Sequence, residues 1–174
     1  NYLDMPIQHC SDDILKRMGR RTTKSELIAI VNKLRERIPD IILRTTLITG
    51  FPGETEEHHE EMMEFVDQME FDRLGVFTYS PEEGTPAATM DNQVDEDTKL
   101  DWRDDIMELQ QEIVFDKSEE MIGKEVLVMI EGKIVGEPAY VGRGYMDAPG
   151  IDGSIFINTG EEFISGDLVK VKII

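Results

Sequence analysis

The chain has 174 residues and a mass of 19.9 kDa, which is enough for one ordinary domain or two small ones. Apolar residues make up 40% of it, which excludes wholesale disorder, and no stretch is long and apolar enough to span a membrane. Its 18 basic and 37 acidic residues leave a net charge of −19, which disfavours broad binding to nucleic acid and favours a basic partner.

The first two-thirds of the chain alternate strand-like and helix-like patterns. The strand-like runs are short, apolar and rich in β-branched residues, as in buried parallel strands. The helix-like runs open on residues that cap helices, and Thr23 with Glu26 forms a capping-box pattern. The predicted strands are residues 2–5, 41–49 and 73–80, and the predicted helices follow Ser11 or Asp12, Thr23 and Thr55. This β-α-β-α-β order predicts a parallel sheet with right-handed crossovers.

The last third of the chain has a different pattern. A long helix is predicted over residues 95–121, and the short strands after Gly123, separated by glycine turns, predict a small all-β barrel. The apolar stripe of the long helix is Leu100, Ile106, Leu109, Ile113 and Val114. The strand-like runs are Glu125–Ile130, Ile134–Val141, Ser154–Asn158 and Leu168–Ile174. We therefore divide the chain into a βα-barrel part at 1–94, a linking helix at 95–122 and a β-barrel domain at 123–174.

The start of the chain indicates a fragment. Asn1 is not preceded by methionine and leads directly into a strand-like run. Three βα units are too few for a closed barrel, and they leave a sheet edge uncovered. We therefore expect further strands upstream of Asn1, and we expect the truncated barrel to self-associate.

Functional residues in parallel α/β folds collect where strands end and helices begin. Three such places lie at residues 8–11, 50–55 and 79–82, and all three should open on the same side of the sheet. The turn Gly50-Phe51-Pro52-Gly53 matches no phosphate-binding loop. It is equally consistent with a strand-to-helix corner and with close approach of the backbone to a ligand.

The cysteine and the histidines point to structural roles. One thiol, Cys10, excludes an internal disulfide and a site built from cysteines alone, and it predicts a reducing, cytoplasmic location. His9 and Cys10 are neighbours on an extended segment and should point apart, so we expect structural or ligand-lining roles rather than a catalytic dyad. We expect His58 and His59 to be solvated on an acidic helix and not to bind a metal.

Two features of charge are relevant to anion binding. Arg44 is a guanidinium within an apolar strand, so it needs an anionic partner, either an internal carboxylate or a ligand carboxylate. Five of the nine residues from Lys16 to Lys24 are basic, which reverses the sign of the chain locally. This cluster is consistent with a solvated helix end, and an anion-binding or substrate-contact patch is the alternative.

Four segments together carry a family resemblance. They are residues 2–9 (YLDMPIQH), 43–55 (LRTTLITGFPGET), 71–85 (FDRLGVFTYSPEEGT) and 145–153 (YMDAPGIDG). In combination they resemble the C-terminal part of a radical S-adenosylmethionine methylthiotransferase, over essentially the whole chain. The resemblance implies an α/β plus all-β fold, with the last βα units of a partial, TIM-like radical-SAM barrel. A small five-stranded, OB-like β-barrel, the TRAM module, follows from about residue 123.

The resemblance also implies an activity and its cofactors. The family uses S-adenosylmethionine and two 4Fe-4S clusters, and the first cluster needs a C-x-x-x-C-x-x-C motif that this chain lacks. We therefore expect the chain alone to bind no cluster and to be inactive. The segment at 147–153 resembles the branch that methylthiolates the β-carbon of an aspartate in small-subunit ribosomal protein S-twelve. The alternatives are the branch that modifies isopentenyladenosine in tRNA and a non-catalytic adaptor.

Site residues follow from the same resemblance. Those expected to bind S-adenosylmethionine are Gln8, Arg44, Thr46, Phe51, Phe77 and Tyr79. Among them Gln8 contacts the ribose or amino-acid part, Arg44 pairs with the carboxylate, and backbone groups near Tyr79 read the adenine edge. Thr46 lines the same cavity, while Phe51 and Phe77 offer apolar surface to adenine. The residues expected to dock the substrate are Tyr145, Asp147, Ile151 and Asp152.

Overall fold

The computed structural model describes all residues from 1 to 174 and divides into two compact units. The first unit is Asn1–Asp116 and the second unit is Lys117–Ile174. The division falls inside the long helix, most of which therefore belongs to the first unit.

Alternating strands and helices build the first unit, as the capping and hydrophobic patterns predict. The strands β1 (Tyr2–Asp4), β2 (Ile42–Thr49) and β3 (Arg73–Thr78) pair in parallel in the order β1-β2-β3. The helices are α1 (Asp12–Arg17), α2 (Lys24–Arg37), α3 (Glu56–Met69) and α4 (Glu96–Glu119). A short 3-10 turn, Pro86–Thr89, lies in the loop after β3. None of the helices combines the length and the apolar composition needed to cross a membrane.

The helix starts show how local sequence sets the element boundaries. The capping box at α2 is confirmed, with Glu26 N–H donating to Thr23 Oγ1 at 3.3 Å and Thr23 N–H donating to Glu26 Oε2 at 2.9 Å. At α3 the reciprocal partner is a histidine, because Thr55 N–H donates to His58 Nδ1 at 3.1 Å. His58 therefore serves the start of its own helix.

The two faces of the sheet have different surroundings. In β2, Leu43, Thr45, Leu47 and Thr49 are buried, whereas the alternate residues from Ile42 to Ile48 are only half-buried. The buried face packs against α2, α3 and α4 in one hydrophobic core. The helices thus cover one face of the sheet, and we call the other its open face.

The buried stripe of α4 differs from the predicted one. Its buried residues are Lys99, Trp102, Ile106, Gln110 and Ile113, whereas Leu100 is exposed and Val114 is half-buried. The polar members of the stripe find partners that only the fold supplies. Gln110 Nε2, for example, donates to Phe71 O at 2.8 Å. Apolar periodicity located Ile106, Leu109 and Ile113, which lie in or against the core, but it missed Lys99 and Gln110 because it cannot recognise polar residues that are buried in a core.

The second unit is a curled antiparallel sheet of four strands instead of the expected five. They are β4 (Glu125–Lys133), β5 (Ala139–Arg143), β6 (Ile155–Asn158) and β7 (Leu168–Lys172), in the order β6-β5-β4-β7. Val128, Ile130, Tyr140 and Ile157 form its core. The predicted strand at 134–141 begins later because β4 continues to Lys133, past a bulge at Ile130 to Gly132, and residues 134–138 turn the chain.

Cys10 lies in the core of the first unit. Its side chain is fully buried, and its thiol donates to Glu61 O at 3.6 Å. Burial, reinforced by the negative charge of Glu61, raises the pKa of the thiol from 9.0 to about 12. The thiol is therefore neutral and shielded in the folded state.

We expect a thiol-specific reagent to leave Cys10 unmodified at pH 8 in the native protein and to modify it once urea unfolds the chain. Because the folded pKa lies above the unfolded one, the free energy of unfolding should also fall as pH rises from 9 towards about 12. Denaturant titrations at several pH values measure this slope. Cys10→Ala is the control, since it should make the slope shallower, and rapid labelling of the native protein would contradict the assignment.

Candidate functional site

The loops at the carboxyl ends of the three strands meet in one rim, formed by residues 7–11, 50–55 and 79–92. His9 Nε2 of the first loop lies 3.3 Å from Glu54 Oε1 of the second, and both side chains are fully buried. The rings of Phe51 and Tyr79 join the second loop to the third, edge to face at 5.2 Å. Gly53 N–H adds a 2.8 Å hydrogen bond to Asn92 O. The predicted convergence of the three strand ends is therefore present in the structure.

Gln8 is locked onto β2 by its backbone. Its N–H donates to Thr46 O at 2.9 Å, and its carbonyl accepts from Ile48 N–H at 2.8 Å. These bonds hold Gln8 at a φ of 72°, in the left-handed region that non-glycine residues rarely adopt. Such a conformation persists only where the surroundings enforce it, and it is common at functional sites.

His9 and Cys10 point to different partners. His9 Nδ1 accepts the N–H of Ser11 at 2.9 Å, which turns Nε2 towards Glu54. Glu54 Oε2 in turn accepts the N–H of Phe51 at 3.0 Å. The His9–Glu54 contact is within ion-pair distance but is not aligned as a hydrogen bond. These two side chains brace the rim from inside, while the Cys10 thiol faces α3.

The open face of the sheet carries the residues expected to hold a carboxylate. Strand register places Arg44 between Asp4 of β1 and Arg73 of β3. Arg44 Nε donates to the hydroxyl of Tyr2 at 2.5 Å, and Arg73 Nη1 donates to Asp72 O at 2.7 Å. Two guanidinium groups on neighbouring strands make this part of the face attractive to an anion.

Sequence reasoning missed Arg73 as a site residue. Arg73 is the first residue of β3, and only the register, which pairs it with Arg44, shows that both lie on the open face. The alternation of Arg73 and Gly75 with the apolar residues Leu74 and Val76 was the signal available in the sequence. It could not fix which residue of β2 lies opposite.

The aromatic residues divide between the open face and the rim. Thr46 of β2 pairs with Gly75 of β3, and Ile48 of β2 pairs with Phe77 of β3. Thr46 and Phe77 therefore lie on neighbouring strands, on the same open face as Arg44. The Phe77 ring is 63% exposed, whereas Phe51 is only 7% exposed. Phe77 thus offers a free apolar surface. Phe51 packs on Tyr79 and has little surface left for a ligand, which corrects the expectation that both rings offer it.

Lys99 accounts for the glycine at position 50, and it also bonds to the backbone carbonyl of Tyr79. Its Nζ donates to Tyr79 O at 3.1 Å and to Glu96 Oε1 at 2.7 Å. Its stem crosses Gly50 so closely that a Cβ there would lie 2.0 Å from Lys99 Cγ. The close approach at this turn is therefore to a side chain of α4.

The backbone groups of Tyr79 itself bond within the protein. Tyr79 N–H donates to Thr49 O at 2.8 Å, and its carbonyl accepts from Lys99, so both groups already bond within the protein. The buried hydroxyl of Tyr79 has no hydrogen-bond partner. The hydroxyl, rather than the backbone, is the polar group that Tyr79 can offer to a ligand.

The prediction that His59 is solvated is wrong. His59 is buried and stacks on Trp102, with ring centroids 5.3 Å apart and an interplanar angle of 11°. Its Nε2 lies 3.2 Å from Asp105 Oδ2, and Trp102 Nε1 donates to Glu56 Oε2 at 3.2 Å. The acidic surroundings of His59 in the sequence concealed this role, because α4, which covers it, lies about 40 residues away.

In the second unit, the segment 144–153 forms a tight loop. The carboxylate of Asp147 is buried and accepts Gly144 N–H at 2.9 Å, and Asp152 Oδ2 accepts Ala148 N–H at 2.6 Å. Tyr145 and Ile151, by contrast, are 58% and 77% exposed. The aspartates therefore shape the loop, which corrects the expectation that Asp147 meets a substrate directly. Tyr145 and Ile151 are the side chains that the loop presents to solvent.

The residues of this chain do not fit an iron–sulfur cluster or another metal. No group of three or more His, Cys, Asp or Glu side chains is arranged to hold an ion. The single thiol is buried, faces a backbone carbonyl and is kept protonated. The open face, with its paired guanidinium groups and its exposed ring, does fit a ligand that carries both a carboxylate and an aromatic base.

Comparison with known protein families finds a different match in each of the two units. Residues 1–66 match the Radical SAM superfamily, and residues 122–174 match the TRAM domain. A solved structure titled as coproporphyrinogen III oxidase (HemN) from Escherichia coli, a Radical SAM enzyme, shares the fold. Its TM-score is 0.56 at 16% identity, and the match covers 83% of this chain and 41% of that one.

Relatives in sequence match along nearly the whole chain. A protein of Lachnoclostridium phytofermentans named ribosomal protein uS12 methylthiotransferase RimO is 58% identical over 173 residues, which are 99% of this chain and 39% of the relative. A protein of the same name from Clostridium botulinum is 51% identical over 172 residues, or 99% of this chain and 38% of the relative. The chain thus spans about two fifths of the length of these relatives. The chain therefore carries a Radical SAM segment and a TRAM domain, and along nearly its whole length it is similar to proteins named as methylthiotransferases, which agrees with the resemblance drawn from the sequence.

Proposed function

We propose that the chain is part of an enzyme that methylthiolates the β-carbon of an aspartate in ribosomal protein uS12 by radical S-adenosylmethionine chemistry. The observation that carries this proposal is the 58% identity to a protein named for that activity, over 99% of the chain. Because the chain spans 39% of that relative, we assign to it only the tasks that its own residues can perform. An enzyme for a ribosomal protein is expected in the cytoplasm.

The first task is to bind S-adenosylmethionine on the open face and the rim. Arg44, with Arg73 beside it, receives the methionine carboxylate, because a guanidinium on this face can form charge-assisted hydrogen bonds to it. Thr46 lies two residues after Arg44 in β2, and Gln8 forms a β-bridge with Leu47 of the same strand. Both residues can therefore bond to polar atoms of the same ligand. Phe77 packs on adenine through its exposed ring. The Tyr79 hydroxyl, supported by Phe51, offers one further donor.

The chemistry of the reaction comes from the bound groups. When bound, S-adenosylmethionine would supply radical chemistry, with its reducing electron coming from an iron–sulfur cluster held outside this chain. This chain lacks the cysteines that such clusters need, so we expect it to be inactive by itself. Its role in catalysis is to orient the cofactor, since the positioning of reacting groups can account for a large part of a rate enhancement.

The second task is to dock the protein substrate. A chain with a net charge of −19 attracts a basic protein, and the second unit adds an exposed aromatic and an exposed aliphatic side chain on a loop braced from within. Residues 123–174 hold five basic and eight acidic residues, so this unit has the wrong sign for the phosphates of tRNA. Tyr145 and Ile151 are therefore the proposed contacts with uS12.

The proposed function predicts a specific product. The full-length enzyme that contains this chain, with its clusters reconstituted, should methylthiolate uS12 at one aspartate, as measured by tandem mass spectrometry of the purified ribosomal protein. The same reaction with isopentenylated tRNA should leave the nucleoside unchanged. Modified tRNA together with unmodified uS12 would instead assign the enzyme to the tRNA branch.

Arg44→Ala in the full-length enzyme should lower the affinity for S-adenosylmethionine roughly 10- to 100-fold. The reason is that a hydrogen bond to a charged group contributes about 1.5–3 kcal/mol. Calorimetric titration with S-adenosylmethionine and with its decarboxylated analogue separates this role from a general defect. The analogue should bind the variant and the parent equally, and Arg37→Ala on the exposed side of α2 should change neither affinity. An equal loss for both ligands would argue against the carboxylate contact.

Tyr145→Ala combined with Ile151→Ala should weaken binding of uS12 roughly tenfold, because burying such side chains at an interface contributes about 1–3 kcal/mol. Val135→Ala with Ile164→Ala is the matched control, since these side chains are 98% and 74% exposed elsewhere in the same unit. Fluorescence titration with labelled uS12 measures both variants, and thermal unfolding checks that each still folds. Equal affinity in the two variants would remove the loop from the docking surface.

A further inference from the structure

Four cations outside the proposed cofactor and substrate sites form a compact surface patch. We call Lys16, Arg17, Arg20 and Arg21 the basic turn, because they lie at the end of α1 and in the turn that follows it. All four are exposed, and none forms an ion pair with a carboxylate. Lys24 differs, since its Nζ lies 3.1 Å from Glu61 Oε1. The basic turn thus presents uncompensated positive charge on a strongly acidic chain.

The backbone of the basic turn is fixed before any partner binds. Gly19, at a φ of 75°, ends α1, and Arg20 N–H donates back to Leu15 O at 2.8 Å. At the far side, Lys24 N–H donates to Asp12 Oδ1 at 2.6 Å, which closes the turn between α1 and α2. A preformed backbone lowers the entropy that binding must overcome, so the patch is suited to recognising a ligand.

The basic turn adjoins the rim of the proposed active site. The guanidinium of Arg17 lies against Gly53, where a Cβ would come within 2.6 Å of Arg17 Nη1. Gly53 belongs to the loop that carries Phe51 and Glu54 and leads into α3. A macromolecule that places a reactive side chain at the rim therefore also passes close to the basic turn.

The sign of the patch does not match the proposed protein substrate. A basic ribosomal protein is attracted by the acidic surface of the chain and repelled by four clustered cations. Phosphate groups show the opposite preference, and Lys and Arg side chains are their usual partners in nucleic-acid complexes. The charge of the basic turn is therefore suited to a polyanion located beside the basic substrate.

We propose that the basic turn binds the phosphate backbone of RNA next to uS12, so that the enzyme recognises its substrate within a small-subunit ribosomal particle. This inference rests on the proposed function and names the form in which the substrate is presented. The open face and the second unit contact the cofactor and the protein, and the basic turn contacts the surrounding RNA. Each cation on a phosphate releases counterions, so the contact should depend strongly on salt.

Arg20→Gln combined with Arg21→Gln tests the contact without touching Arg17 or the rim. Binding of the full-length enzyme is measured to purified small-subunit particles, to particles reconstituted without uS12, and to free uS12, at several salt concentrations. We expect about tenfold weaker binding of the variant to both kinds of particle at low salt and a salt slope reduced by about 1.5. Affinity for free uS12 should be unchanged or slightly higher.

Lys33→Gln combined with Arg37→Gln is the matched control, because it removes the same charge from exposed positions of α2 in the same unit. It should preserve most of the affinity for particles. Equal losses in the two variants, or no loss with Arg20 and Arg21 replaced, would overturn the inference. Binding to particles that lack uS12, together with failure to modify uS12 either free or within particles, would support the RNA contact while refuting the proposed function.

Discussion

The structure depends on a sheet with two unlike faces. Along β2, one set of alternate side chains is buried under helices, and the other set, with Arg44 and Thr46, stays accessible. Hydrophobic burial on one side secures the strands, because this is the dominant favourable term in folding. The opposite side of the sheet can therefore carry two guanidinium groups and an exposed ring without being needed for this burial. Such a division gives a ligand a rigid and chemically varied surface.

The rim is stabilised by polar groups that would be costly if they were left without partners. His9, Glu54 and Lys99 are all buried, and each contacts a group from another segment of the chain. His9 Nδ1, Glu54 Oε2 and Lys99 Nζ each take part in a hydrogen bond to a backbone group, and leaving such a buried polar group unsatisfied destabilises a protein by about 1–3 kcal/mol. The three loops therefore hold one arrangement without a large apolar core of their own. These polar contacts between loops explain why so many polar residues collect where the strands end.

Much of the fold was predictable, and the failures have identifiable physical causes. Capping residues and apolar periodicity located the helices to within a residue or two, because these signals are local. His59 was misjudged because the Trp102 that covers it comes from a distant helix. Arg73 was missed because register decides which residues face each other. The contact of Lys99 with the Tyr79 carbonyl was not foreseen because Lys99 belongs to an element predicted only for its apolar stripe.

The crossing of Lys99 over Gly50 has a mechanical consequence. The amine ties the first turn of α4 to Tyr79, the residue that follows β3, and the stem of the same side chain rests on the turn that follows β2. Three segments far apart in sequence are thus linked by one methylene chain. A displacement of the start of α4 would shift the Tyr79 ring and the Phe51 ring packed against it. Lys99 thus couples the start of α4 to these two rings, and the absence of a side chain at position 50 provides the groove in which Lys99 lies.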